Sequence, residues 1–166
     1  MFKNIFDAAA SGSVNDVRFF IEQGKSVHKK EKKSDWTPLH HAANSNFNVD
    51  VLKYLVDQGA SVNSKNQYGW TPLLLACYGS SITVVKYLVD QGADVNAKTH
   101  VGMTPLHLAG SNSDVNVMKY LIEKGADVNA INDFGWTPMD DAHYKEQVVI
   151  LREAGGKSGE ELFSDD

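Results

Sequence analysis

One tripeptide occurs four times at nearly constant spacing in this chain of 166 residues. The copies are Thr37-Pro38-Leu39, Thr71-Pro72-Leu73, Thr104-Pro105-Leu106 and Thr137-Pro138-Met139. Their threonines are 34, 33 and 33 residues apart. A period in this range is typical of stacked-repeat proteins, in which each unit buries its apolar face only against its neighbours. The spacing therefore favours an extended binding surface over a closed reaction centre.

The sequence around each tripeptide predicts two helices per unit. Proline directly after threonine suits the first turn of a helix, where the threonine hydroxyl can accept a backbone N–H. A second apolar pattern with helical spacing follows, as at Val84, Val85 and Leu88. Gly92 then ends that helix, because glycine adopts a left-handed conformation without steric cost. An extended loop, here called a finger, is predicted from there to the next Thr-Pro.

Two recurring segments resemble the ankyrin repeat in signature and length. They are Thr104-Pro105-Leu106-His107-Leu108-Ala109 and the Gly-Ala-Asp-Val-Asn runs that begin at Gly92 and Gly125. The resemblance covers about residues 3–155. It implies an all-α repeat solenoid of stacked helix-turn-helix units joined by β-hairpin-type finger loops, with binding contacts concentrated on one concave face of fingers and inner helices.

We expect a single repeat domain over residues 1–156, followed by an acidic polar tail over 157–166. The five units are 3–35 (an N-terminal cap), 36–69, 70–102, 103–135 and 136–155 (a shortened C-terminal cap). Terminal units depart from the repeat because their outer faces meet water. The first finger carries one extra residue, and an insertion is predicted between the helices at 44–48.

Composition excludes several classes of function. The net charge is −5, with +2 over residues 1–35 and −7 over the remainder, which disfavours general binding to nucleic acid. No apolar run approaches the roughly 18 residues that cross a bilayer, so no membrane association is expected. The chain begins without a secretory signal pattern, so cytoplasmic residence is expected, with leaderless export left open. We expect a monomer.

Aromatic residues near the finger tips are the strongest candidates for partner binding. Tryptophan precedes three of the four Thr-Pro pairs. Another aromatic residue stands two residues before two of these tryptophans. Tryptophan and tyrosine are favoured at interface hot spots. The candidates are Trp36, Tyr68, Trp70, Tyr78, His100, Met103, Phe134 and Trp136, with Lys32 and Lys33 as possible contacts to an acidic partner. Alternatively, the tryptophans pack structurally on the next finger, and the lysine run is merely solvated.

Other polar residues have plainer interpretations. The resemblance implies that His40 and His107 hydrogen-bond across neighbouring repeats, and no ligand spacing around them suggests a metal or cofactor. Cys77 replaces an inner-helix alanine and is expected to be a small buried packer. The recurring asparagines Asn63, Asn96 and Asn129 are expected to stabilise their own hairpin turns, with modification left open.

These patterns predict a non-enzymatic protein–protein interaction module whose partner is a protein of unknown identity. One alternative is a self-associating structural repeat protein. Another is a small enzyme or ligand-binding protein, which would need convergent polar groups in a cavity. Asp140 and Asp141 are adjacent on a predicted helix and therefore diverge, so they do not form a general acid/base pair. The sequence does not choose among a regulator, an inhibitor and a secreted effector.

Overall fold

The computed structural model describes residues 2–45, 48–79, 81–111 and 115–164, and within them the chain folds into ten helices. The helices are α1 Ile5–Ser11, α2 Val14–Glu22, α3 Pro38–Ser45, α4 Val49–Asp57, α5 Pro72–Tyr78, α6 Ile82–Asp90, α7 Pro105–Gly110, α8 Val115–Glu123, α9 Lys145–Glu153 and α10 Gly159–Phe163. The predicted insertion at 44–48 includes residues 46–47, which lie outside the described residues.

Local chemistry starts α5 and ends α6 as the sequence predicts. At α5 the hydroxyl of Thr71 accepts a hydrogen bond from the backbone N–H of Leu74 at 3.3 Å, and Pro72 occupies the first turn. At the end of α6, Gly92 has a φ of +84°, which L side chains rarely adopt. The next N–H, of Ala93, then bonds back to the carbonyl oxygen of Leu88 at 2.9 Å.

The helices stack in two layers. The inner layer contains α1, α3, α5 and α7 in chain order, and the outer layer contains α2, α4, α6, α8 and α9. Leucines that recur in phase fill the space between the layers and are fully buried: Leu39, Leu73 and Leu106 from the inner helices and Leu55, Leu88 and Leu121 from the outer ones. Each such burial contributes about 1.5–3 kcal/mol. The predicted helical-repeat solenoid is thereby confirmed.

The fingers are hydrogen-bonded turns, and no β-strand is assigned among the described residues. In the finger at 66–70, the N–H of Asn66 donates to the carbonyl oxygen of Trp70 at 3.0 Å. Neighbouring fingers are also linked, because the N–H of His100 donates to the carbonyl oxygen of Tyr68 at 3.0 Å. Too few residues pair to form a β-ladder of backbone hydrogen bonds. The fingers therefore follow the course of a hairpin without its strands.

The last unit differs from the others in its inner half and in what covers it. Residues 138–141 form turns rather than an inner helix. Residues 157–164 lie against this unit: the hydroxyl of Thr137 donates to the carbonyl oxygen of Lys157 at 2.7 Å, and the N–H of Gly159 donates to Oδ2 of Asp140 at 2.8 Å. Arg152 pairs with Glu161 at 2.7 Å. The segment after Gly156 therefore covers the end of the stack.

Candidate functional site: an aromatic groove between two fingers

A groove of about 620 Å³ opens between the first two fingers and the inner helices α3 and α5. Four of the predicted binding residues line it together, namely Trp36, Tyr68, Trp70 and Tyr78. The remaining lining residues are Glu31, Ser34, His41, Asn44, Asn66 and Leu75. We call this feature the aromatic groove.

The aromatic rings of the groove stand at steep angles to one another. The rings of Trp70 and Tyr78 are 6.0 Å apart between centroids with an interplanar angle of 86°. Trp36 meets the imidazole of His41 at 4.9 Å and 64°. Tyr68 and Tyr78 are 58% and 61% exposed, whereas Trp70 is half-buried and packs on the core. The two tyrosines thus offer exposed ring surface for contact with a ligand. Trp70 lines one side of the groove and is held by its packing on the core.

Finger 66–70 is held in place by two buried side chains, Asn66 and His40. The amide oxygen of Asn66 accepts hydrogen bonds from the backbone N–H groups of Tyr68 at 2.8 Å and of Trp70 at 2.9 Å. The carbonyl oxygen of Trp70 accepts from Nε2 of His40 at 3.1 Å. Because the backbone is fixed at three points, both aromatic side chains start from a rigid base.

The charge in the groove comes from one carboxylate. The hydroxyl of Ser34 donates to Oε2 of Glu31, and Nε2 of His41 lies 3.8 Å from the same oxygen. Burial lowers the pKa of His41, with Glu31 and Asp7 partly opposing the shift, so the imidazole is neutral near pH 7. Nε2 of His41 is itself buried and forms no hydrogen bond with the described residues. Glu31 is therefore the only formal charge among the lining residues.

The other predicted site residues lie outside this groove. His100 is exposed and Met103 half-buried on the third finger. Phe134 and Trp136 are 64% and 53% exposed on the fourth finger, with ring centroids 6.0 Å apart. They form a second aromatic patch, separated from the groove by the third finger.

The two candidate lysines project from the first finger. Lys32 and Lys33 are exposed, do not line the groove and form no ion pair with the described residues. Lys30, by contrast, lies 3.7 Å from Asp35. The lysines thus place positive charge beside the groove but not inside it.

Sequence reasoning missed the polar residues of the groove. Asn66 carried a usable signal, because an asparagine also stands four residues before Trp136 and makes the same pair of bonds from Asn132. Glu31 and His41 carried no such signal, since neither recurs in phase with the repeat.

The recurring histidines and asparagines link neighbouring repeats. Nε2 of His107 lies 3.1 Å from the carbonyl oxygen of Trp136, as the resemblance implied. For the asparagines, the expected bond within their own turn is wrong. The amide nitrogen of Asn63 donates to the carbonyl oxygen of Gly92 at 2.9 Å, and its oxygen accepts from the N–H of Asp94 at 2.9 Å, both in the following repeat.

Three kinds of group that often carry catalytic chemistry are metal ligands, a cysteine and a carboxyl with a raised pKa. No cluster of three or more potential metal ligands occurs in the part of the chain that the structure describes. Burial raises the pKa of the Cys77 thiol, which disfavours the nucleophilic thiolate. Burial and the neighbouring Asp140 raise the pKa of Asp141 to about 6, yet this side chain does not line the aromatic groove. Within the same described ranges, none of the helices has the length and apolarity to span a membrane.

Stacked helix pairs, bridged by hydrogen-bonded fingers that frame an open groove, define a helical-repeat solenoid. Two models of ankyrin repeats match the chain, one with three copies over residues 5–99 and one with many copies over residues 88–142. The chain belongs to the ankyrin-repeat family. Members of this family generally act as protein–protein interaction modules and generally lack catalysis.

Individual relatives match parts of the chain. Alpha-latrocrustotoxin-Lt1a of Latrodectus tredecimguttatus is 42% identical over 72 residues, which are 43% of this chain and 5% of the toxin. Human protein phosphatase 1 regulatory subunit 27 is 34% identical over 68 residues, 41% of this chain and 43% of the subunit. A putative ankyrin repeat protein of Rickettsia bellii is 28% identical over 118 residues, covering 49% of each chain. The chain thus spans at most about half the length of these relatives.

Proposed function

We propose that this protein is a non-catalytic binding module that holds a segment of a partner protein in the aromatic groove. The observation that carries the proposal is the pair of tyrosines, Tyr68 and Tyr78, that remain 58% and 61% exposed. Tyr68 stands on a finger backbone fixed by Asn66, and Tyr78 is the last residue of α5. Exposed rings with few rotatable bonds bind at low entropic cost, and a prearranged surface lowers that cost further.

The groove suits a segment of chain better than a small substrate. It is open along the fingers, and its polar lining groups are spread over Glu31, Asn44 and Asn66 rather than converging on one reacting atom. One relative is named as a regulatory subunit of protein phosphatase 1, and a role in which the module occupies or positions a partner fits the same surface.

Self-association is the second candidate, and the fourth finger supports it. Phe134, Trp136 and Phe163 are 64%, 53% and 61% exposed, and Phe163 lies beside Gly135 of the same finger. Such an exposed apolar patch on a monomer can pair with a second copy. Sedimentation equilibrium separates the two candidates, because only self-association gives a concentration-dependent mass.

Site-specific photo-crosslinking tests the proposal. A benzoylphenylalanine at position 78 replaces a groove tyrosine, and one at Thr83 on α6 provides an exposed control on the outer layer. In lysate of the source organism, we expect a discrete protein adduct from position 78 that Tyr68→Ser weakens. Equal labelling from both positions, or none from position 78, contradicts groove binding. An adduct of twice the chain's mass favours self-association.

A further inference from the structure

We propose that the aromatic groove selects a basic side chain, an arginine or lysine of the partner segment, with its cationic head between the aromatic rings and the carboxylate of Glu31. This inference rests on the proposed function and names what the groove recognises. It follows from the charge of the lining, the geometry of the rings and the cost of other occupants.

The charge of the lining favours a cation. Glu31 is the only formally charged lining residue, since burial keeps His41 neutral near pH 7. In the segment 29–33, Lys32 and Lys33 are exposed, do not line the groove and form no ion pair with the described residues, whereas Lys29 and Lys30 contact other groups. The ammonium of Lys29 lies 5.9 Å from the centroid of the Phe6 ring, and that of Lys30 pairs with Asp35 at 3.7 Å. The carboxylate of Glu31 thus lines the groove, and no lysine or arginine among the described residues forms an ion pair with it.

The geometry of the rings also favours a cation. Aromatic faces attract cations through the ring quadrupole, and tryptophan does so most strongly. Trp36 and Trp70 both line the groove, and Tyr78 stands at 86° to Trp70, so a side chain that enters meets ring surface on more than one side. An arginine or lysine can lay its methylene stem along these rings while its head reaches Glu31.

Other occupants fit this lining less well. An acidic side chain would be repelled by Glu31. An apolar side chain would take water from that carboxylate and give it no partner, which is costly for a charged group. A basic side chain compensates the desolvation, because a charge-assisted hydrogen bond replaces the lost water.

Side-chain analogues test this directly by NMR. Capped arginine (N-acetyl-arginine N-methylamide), its neutral isostere capped citrulline, and capped glutamate are titrated into the labelled protein while the three tryptophan indole N–H signals are observed. We expect arginine to shift the signals of Trp36 and Trp70, which line the groove, but not that of Trp136 on the fourth finger. At about 50 mM, where a millimolar site is filled, citrulline and glutamate should give much smaller shifts.

Two variants that each remove one negative charge complete the test. Glu31→Gln keeps the shape and the acceptor for Ser34 but removes the charge, so the affinity for capped arginine should fall roughly fivefold to tenfold, because a charge-assisted hydrogen bond becomes a neutral one. Asp133→Asn removes an exposed carboxylate from the fourth finger and should leave the affinity unchanged. Equal shifts with citrulline, no shift with arginine, or an unchanged affinity in Glu31→Gln overturns the inference.

The same variants separate this inference from the proposed function. If photo-crosslinking from position 78 continues in Glu31→Gln at the wild-type level, the groove binds a protein without selecting a cation, and only the further inference is wrong. If benzoylphenylalanine at position 78 gives no adduct in the protein that retains Glu31, while arginine still shifts the signals of the groove tryptophans, the selectivity stands and the proposed protein partner is wrong.

Discussion

Nε2 of His40 lies 3.1 Å from the carbonyl oxygen of Trp70, a residue of the next finger. On the other side of the ring, Nδ1 lies 3.1 Å from the backbone nitrogen of Thr37, which donates to it, so Nε2 carries the proton. The neutral imidazole therefore joins two repeats and fixes the backbone that supports one wall of the aromatic groove.

This bond predicts a stability that depends on pH. Burial lowers the pKa of His40 to about 4. Because the folded-state pKa lies below the unfolded value of about 6.5, protonation favours unfolding, and the contribution of His40 is lost as the pH falls from 6.5 towards 4. Between about pH 7.5 and about pH 5 the loss is on the order of 2 kcal/mol. Urea unfolding of wild type and His40→Leu at both pH values measures it.

The difference between the two proteins isolates this histidine from other titrating groups. Leucine is a fair replacement because Leu74 occupies the equivalent place in the next unit and is fully buried there. The variant should be less stable at neutral pH and should lose less stability on acidification. Two curves that stay parallel across this pH range would contradict the assignment.

The asparagine bridges predict a different sensitivity. Asn96 donates to the carbonyl oxygen of Gly125 at 3.1 Å and accepts from the N–H of Asp127 at 2.8 Å. Asn96→Ala should destabilise the protein by about 1–2 kcal/mol, because two bonds between repeats are lost. The denaturant midpoint measures this. Asn15→Ala serves as the control and should cost less than about 0.5 kcal/mol, since the Asn15 side chain accepts a hydrogen bond from the exposed side chain of Arg18 in its own helix.

The fold could be predicted because each repeat contains the sequence signals for its own helices and turns. The Thr-Pro pairs that start helices, the glycines that end them and the leucines that recur in phase are all local features. Stacking then requires contacts only between neighbouring repeats. The bridging role of Asn63 could not be predicted in the same way. Its partners, Gly92 and Asp94, lie about thirty residues away and meet it only once the units have stacked.

The groove could be predicted only in part, for a similar reason. Its tyrosines and tryptophans occupy repeated positions, so the sequence indicated them. Glu31 belongs to the first finger, which carries an extra residue, and His41 faces it because α3 packs on α1, where Phe6 lies 5.3 Å from the imidazole ring. That arrangement depends on how three non-repeated side chains pack, which periodicity does not encode.

The covering of the last unit predicts a steric sensitivity at Gly159. A β-carbon at this position would overlap the carbonyl oxygen of Gly135. Gly159→Ala should therefore displace α10 and break the bond from the N–H of residue 159 to Asp140, which costs about 1–3 kcal/mol. Hydrogen exchange at 157–164 measures the displacement. Glu160→Ala, an exposed neighbour, should leave protection there unchanged, and full protection in Gly159→Ala would contradict this packing.

The lysines of the first finger predict a salt-dependent affinity. Lys32 and Lys33 are exposed beside the groove, so acidic residues that flank the bound segment would meet them. Once the partner is identified by crosslinking, its affinity should fall as salt rises, because exposed charges are screened over about 10 Å at 0.1 M. Replacing both lysines with serine should flatten that dependence. If the wild-type affinity does not vary with salt, these lysines are merely solvated and do not contact the partner.

The two aromatic patches predict separable effects on binding. Tyr68 is 58% exposed in the groove, and Phe134 is 64% exposed on the fourth finger. Replacing both with serine should abolish partner binding and change the melting temperature little, because neither ring contributes much buried area. Titration calorimetry and thermal melts measure the two effects. Of the single variants, Tyr68→Ser should weaken binding more, since its ring shares the groove with Trp70 and Tyr78. A loss confined to Phe134→Ser would instead move the binding surface to the fourth finger.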